Sequence, residues 1–176
     1  MSSGIVTGNV YGGGLGVTTR MSGNQSTYAN IFGDAMVGGN VYGGAAYGLV
    51  SGASVSTNVT IGTSGDDTCI VEGSVYGGGK GIAGYESVIG VNNVTINGGT
   101  IGANAYGGSE LGITTGNVFV TINGGNSSHA GDTDILPVNN PAETVCCLFS
   151  ADRADDIIIH PWTVYISRSS TYSLNQ

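Results

Sequence analysis

The sequence predicts an all-β fold: a parallel β-helix (β-solenoid) over residues 1–131, with a non-repeat C-terminal cap or donated strand segment over residues 132–176. Three observations carry this expectation. A Gly-Asn-Val-Tyr-Gly-Gly string recurs four times, intact or varied. An Asn-Val-Thr-Ile string recurs between its copies. All 33 glycines of the 176-residue chain lie at or before Gly131.

The first element reads Gly8-Asn9-Val10-Tyr11-Gly12-Gly13, Gly39-Asn40-Val41-Tyr42-Gly43-Gly44, Gly73-Ser74-Val75-Tyr76-Gly77-Gly78 and Gly102-Ala103-Asn104-Ala105-Tyr106-Gly107-Gly108. Its tyrosines are spaced by 31, 34 and 30 residues. The second reads Asn58-Val59-Thr60-Ile61-Gly62, Asn93-Val94-Thr95-Ile96-Asn97-Gly98-Gly99 and Val120-Thr121-Ile122-Asn123-Gly124-Gly125. A fixed period of this length is the mark of a repeat array. Val-Thr-Ile is stiff at χ1 and suits a pleated surface, with Val and Ile on one face and Thr on the other. The Asn-Gly-Gly that follows tolerates positive φ, which a corner between two faces of a coil requires. Helix is disfavoured over residues 1–131, because each interior Gly costs about 0.8–1.0 kcal/mol relative to Ala and no long segment there lacks one.

Each unit is too small to bury its own apolar face, so stacking must do it. Stacked rungs place equivalent side chains over one another at about 4.7–4.9 Å. Tyr11, Tyr42, Tyr76 and Tyr106 are thus a candidate aromatic ladder, and Asn9, Asn40 and Asn104 a candidate polar ladder beside it. The triplets Gly12-Gly13-Gly14 and Gly77-Gly78-Gly79 read first as tight corners or close approaches of layers. A flat, side-chain-free surface for a partner is the second reading. Val17 to Asp34 reads as the longest polar insertion, and Gly62 to Glu72 as a loop holding Asp66-Asp67.

The tail obeys a different rule. It holds all three prolines (Pro137, Pro141, Pro161), the only tryptophan and two of three cysteines. Asp156–His160 and Trp162–Ile166 read as strands broken by Pro161, and Ala142–Phe149 as a short helix or strand. Such a segment caps the open end of a solenoid, or is donated to a neighbouring subunit to build a filament. Trp162 is the tail's candidate assembly residue.

The repeated N-V-T-I-N-G-G and G-N-V-Y-G-G-G strings resemble the glycine-rich repeats of bacterial surface proteins. The resemblance covers about residues 4–125. It implies a parallel β-helix, an adhesin-like or structural role and an extracellular or cell-surface location, and it supplies no catalytic residues.

Composition narrows the functional classes. The net charge is -8, from 12 acids and 4 bases, and charged residues make up 9% of the chain. Nucleic acid is not an expected partner, because phosphate binding needs clustered Lys and Arg. No run of about 18 apolar residues is present, so no membrane insertion is expected. The N-terminus shows no signal-peptide pattern. Cys69, Cys146 and Cys147 are too few and wrongly spaced for a disulfide framework or a zinc site and read as buried free thiols.

No cofactor is expected. The Asp residues do not recur with the repeat, as a calcium solenoid would need. The only two histidines, His129 and His160, sit in no nucleophile motif. Gly77-Gly78-Gly79-Lys80-Gly81 lacks the spacing and the Ser or Thr of a phosphate loop. Thr60, Thr95 and Thr121 recur singly, without the doubled row of an ice-binding surface. Glu72, Glu86 and Glu110 are the candidates for paired carboxylates in a groove, but they occupy non-equivalent repeat positions. The expected function is therefore a non-enzymatic extracellular structural or adhesive protein. It would self-assemble into fibres by stacking or strand donation, with itself as partner and a carbohydrate or host surface as a further one. The alternative is a carbohydrate-active β-helix enzyme, a polysaccharide lyase or hydrolase.

Overall fold

The computed structural model describes residues 1–16, 20–21, 25–63, 67–127 and 145–149. Every described strand pairs in parallel, and no helix occurs among the described residues. The strands fall on three faces. Face A holds β1 (Ser3–Val6), β5 (Asp34–Val37), β8 (Ile70–Val71), β11 (Thr100–Ile101) and β15 (Asn126–Ser127). Face B holds β2 (Val10–Tyr11), β6 (Val41–Tyr42), β9 (Val75–Tyr76) and β12 (Ala105–Tyr106). Face C holds β3 (Arg20–Met21), β4 (Thr27–Ile31), β7 (Leu49–Ile61), β10 (Glu86–Ile96), β13 (Ile113–Thr115), β14 (Val118–Ile122) and β16 (Val145–Phe149). The chain runs A, B, C and returns to A one rung along, which is a parallel β-solenoid.

The register is that of the repeat. On face B, Val10, Val41, Val75 and Ala105 lie over one another. On face A the column is Val6, Val37, Val71 and Ile101. On face C it is Ala29, Val59, Val94 and Val120. These columns point inward and meet along the axis as one core. Val37, Val41, Val71 and Val75 are 0% exposed. Val59 and Ile61 are buried while Thr60 between them is only half-buried, the alternation expected of Val-Thr-Ile.

Corners from face C to face A use the predicted glycines. Gly62 and Gly99 adopt φ of 73° and 79°, where L side chains are strained. The asparagines beside them form a short ladder: Asn97 Nδ2 donates to the Gly62 carbonyl at 3.3 Å, and Asn123 Nδ2 to Asn97 Oδ1 at 2.8 Å.

The expected insertion from Val17 to Asp34 is corrected. Thr27–Ile31 forms β4 and pairs residue for residue with Thr57–Ile61. Thr-Tyr-Ala-Asn-Ile lacks the repeat letters but keeps the period of two: Thr27, Ala29 and Ile31 are buried, Tyr28 and Asn30 exposed. The inward column at its start is polar. Thr57 Oγ1 donates to Asn92 Oδ1 at 2.6 Å, and Thr27 Oγ1 to the Gly43 carbonyl at 2.5 Å. In the tail, Val145–Phe149 is a strand in parallel register with Val118–Ile122. The other tail residues, including Trp162 and the two expected strands around Pro161, lie outside the described residues.

Candidate functional site

Face B carries the most regular side-chain array. Its strands are two residues long, so alternation sends the Val inward and the Tyr outward. The rungs then bring the four tyrosine rings into one stack. Centroids are 4.8 Å apart for Tyr11–Tyr42, 5.0 Å for Tyr42–Tyr76 and 4.8 Å for Tyr76–Tyr106, with interplanar angles of 8°, 8° and 10°. The strand spacing imposes this separation, and the rings fill it. Tyr42 is 0% exposed, whereas Tyr11, Tyr76 and Tyr106 are half-buried.

The asparagines two residues earlier stand on the same outward side. Each donates through Nδ2 to the phenol oxygen of its own rung: Asn9 to Tyr11 at 3.1 Å, Asn40 to Tyr42 and Asn104 to Tyr106 at 2.9 Å. Asn9 and Asn40 also work between rungs. Asn9 Oδ1 accepts the Asn40 N–H at 2.8 Å, and Asn40 Oδ1 accepts the Ser74 N–H at 2.8 Å. Ser74 takes the asparagine's place in the third rung, and its Oγ accepts the Asn104 N–H at 3.3 Å. One short amide thus ties a ring, a strand and the next strand together, and all seven ladder residues predicted within residues 1–131 are brought onto one face.

The glycines after each tyrosine exist for close approach. A Cβ on Gly43 would run into the Gly77 carbonyl oxygen, and one on Gly77 into that of Gly107. The backbones bond across the same gap, Gly43 N–H to the Tyr76 carbonyl at 2.9 Å and Gly44 N–H to that of Gly78 at 3.0 Å. The close-packed reading of the triplets is the one that fits.

Glu110 is a participant that spacing did not reveal. It follows β12, yet accepts the Tyr42 hydroxyl at 2.6 Å from two rungs away. Burial, then this bond and the carboxylate's charge, push the Tyr42 phenol far above its ordinary value. Burial and the charge of Glu110 also raise Tyr76. The three candidate carboxylates stand on different stretches of the coil. Glu72 follows β8 on face A, Glu86 opens β10 on face C and accepts from Thr115 Oγ1 at 3.4 Å, and Glu110 is engaged by Tyr42. Among the described residues no cluster of three or more His, Cys, Asp and Glu occurs. Asp67 closes its loop by accepting from the Thr63 N–H at 2.9 Å and Oγ1 at 3.0 Å. Asp66, His129 and His160 lie outside the described residues.

Cys69 is a buried free thiol, as expected. Its Sγ faces the Ile31 carbonyl at 3.5 Å, and burial raises its pKa. The loops from face B to face C carry exposed apolar side chains in successive rungs: Leu15, Tyr47, Tyr85 and Leu111. No protein-family model, curated protein or solved structure matches the chain.

Proposed function

We propose that this chain is a non-enzymatic structural or adhesive module of the cell surface or extracellular space, and that its partner is first of all itself. The observation that carries the reading is the four-ring tyrosine stack along face B, tied from rung to rung by Asn9, Asn40 and Ser74. Ladders of like residues stabilise stacked strands and work equally well between and within chains. The exposed Leu15, Tyr47, Tyr85 and Leu111 offer the apolar contact area an adhesive role on a carbohydrate or host surface would use. The extracellular setting follows from the likeness of the repeats to those of bacterial surface proteins.

Sedimentation velocity and negative-stain microscopy over a wide concentration range test this. Growth of elongated particles with concentration is expected. Dispersed monomers at every concentration would contradict it. Turnover of an acidic polysaccharide, abolished by changing Glu72, Glu86 or Glu110, would establish a carbohydrate-active enzyme instead.

A further inference from the structure

We infer that Tyr42 is a redox site: a one-electron oxidant draws an electron from the tyrosine stack of face B, the loss settles on Tyr42, and the phenol proton passes to Glu110. The substrates are small one-electron oxidants, inorganic or organic radicals, and a single chain suffices.

Of the four stacked phenols, Tyr42 is the one with a base. Its hydroxyl donates to Glu110 Oε2 at 2.6 Å, the length of a charge-assisted bond between a hydroxyl and a carboxylate. Among the described residues no carboxylate accepts from Tyr11, Tyr76 or Tyr106. The exposed Tyr28, Tyr47 and Tyr85 stand outside the stack and have no carboxylate partner among the described residues either. Backbone bonds hold the base in place. The Glu110 N–H donates to the Gly79 carbonyl at 3.0 Å and the Leu111 N–H to that of Lys80 at 2.8 Å.

The stack supplies the way in. Tyr11, Tyr76 and Tyr106 are half-buried and so reach solvent, whereas Tyr42 is 0% exposed. Tyr42 has a ring on each side, Tyr11 at 4.8 Å and Tyr76 at 5.0 Å, each tilted by only 8°. At this separation the π-systems overlap, and a loss at an outer ring is passed along until a phenol can release its proton.

Burial selects the coupled step. Losing the proton alone would set a phenolate beside the Glu110 carboxylate, which burial and like charge oppose. Losing the electron alone would leave a cationic ring in a buried place. Losing both leaves two neutral groups. The Tyr42 O–H bond breaks, an O–H bond forms on Glu110, and the electron reduces the oxidant; a phenoxyl radical and a carboxylic acid remain. Asn40 Nδ2, at 2.9 Å from the phenol oxygen, donates to it before and after the proton moves. Glu110 is itself exposed and hands the proton on to water. The radical on Tyr42 is enclosed, shielded from coupling to a ring of another molecule, and is therefore long-lived.

Flash photolysis of a ruthenium polypyridyl sensitiser with persulfate supplies the oxidant, and freeze-quench electron paramagnetic resonance reads the tyrosyl radical. The wild type is expected to form a long-lived radical whose yield falls about tenfold or more in Tyr42→Phe. Glu110→Gln leaves the phenol a hydrogen-bond acceptor but no base, and should lower the yield about tenfold or more while the far-UV circular dichroism stays unchanged. A radical of undiminished yield and lifetime in either folded variant would overturn the inference. Association enters neither readout. Should one variant fail to fold, the other decides.

Discussion

Replacing Gly43 with alanine should weaken the fold by about 3–6 kcal/mol, a large part of the roughly 5–15 kcal/mol a domain possesses. The added methyl would meet the Gly77 carbonyl oxygen directly and Val59 Cγ2 at 3.1 Å. Neither can yield cheaply: one is backbone held in a ladder, the other a β-branched side chain in the core. The rungs must part, and the bonds from Gly43 to Tyr76 and from Gly44 to Gly78 lengthen beyond 2.9 and 3.0 Å. Overpacking of this kind costs about 1–3 kcal/mol, and each buried backbone group left unpaired adds about 1–3 kcal/mol. Gly8→Ala is the matched control. It has no positive φ and open space around it, so it should be neutral or stabilise by about 0.4–1 kcal/mol through the unfolded chain. Urea unfolding followed by far-UV circular dichroism, at a concentration where the chain is monomeric, measures both. A Gly43→Ala chain within about 1 kcal/mol of Gly8→Ala would refute the close-approach account of the glycines.

Three further outcomes are expected. Asn40→Leu removes the acceptor for the Ser74 N–H and the donor to Tyr42, and should cost about 2–4 kcal/mol in the same urea assay. Asn9→Leu, whose bonds are exposed, should cost less than half as much. The raised folded-state values of Tyr42 and Tyr76 make the native chain hold protons that the unfolded chain releases above its ordinary value of about 10. Their contribution is thus fully present below pH 10 and lost as pH rises above it, so thermal unfolding midpoints should fall in alkali and fall less in Tyr42→Phe. The buried Cys69 thiol should resist a thiol reagent in the native chain and react at once in urea; immediate native labelling at Cys69 would place it at the surface.

How much of this was legible in the sequence depends on the element. Val59-Thr60-Ile61 and Val94-Thr95-Ile96 declare their strands because β-branched residues alternate with the pleat, and the glycines after them declare the corners. Tyr11, Tyr42, Tyr76 and Tyr106 declare their stack because one period separates all four. Thr27–Ile31 stayed hidden because inward positions need only small or branched apolar side chains, and Ala29 and Ile31 satisfy that without the repeat letters. The face A strands β8 and β11 were hidden for another reason: Ile70–Val71 and Thr100–Ile101 are two residues long, too short to show an alternation of their own. Glu110 could not be read at all. Its bond to Tyr42 crosses 68 residues and two rungs, and only the folding of the loop after β12 brings the two together. Ser74 shows the converse. Its hydroxyl continues the asparagine ladder between rungs, though the letter differs.

Tyrosine labelling tests the parallel, in-register stack without altering the protein. With ¹³C at the phenol carbon of all nine tyrosines, solid-state NMR dipolar recoupling reads the distances between rings. The stack predicts a fast-decaying component from the four ladder rings, with nearest neighbours at 4.8–5.0 Å. A uniformly slow decay, with no tyrosine pair near the strand spacing, would contradict it.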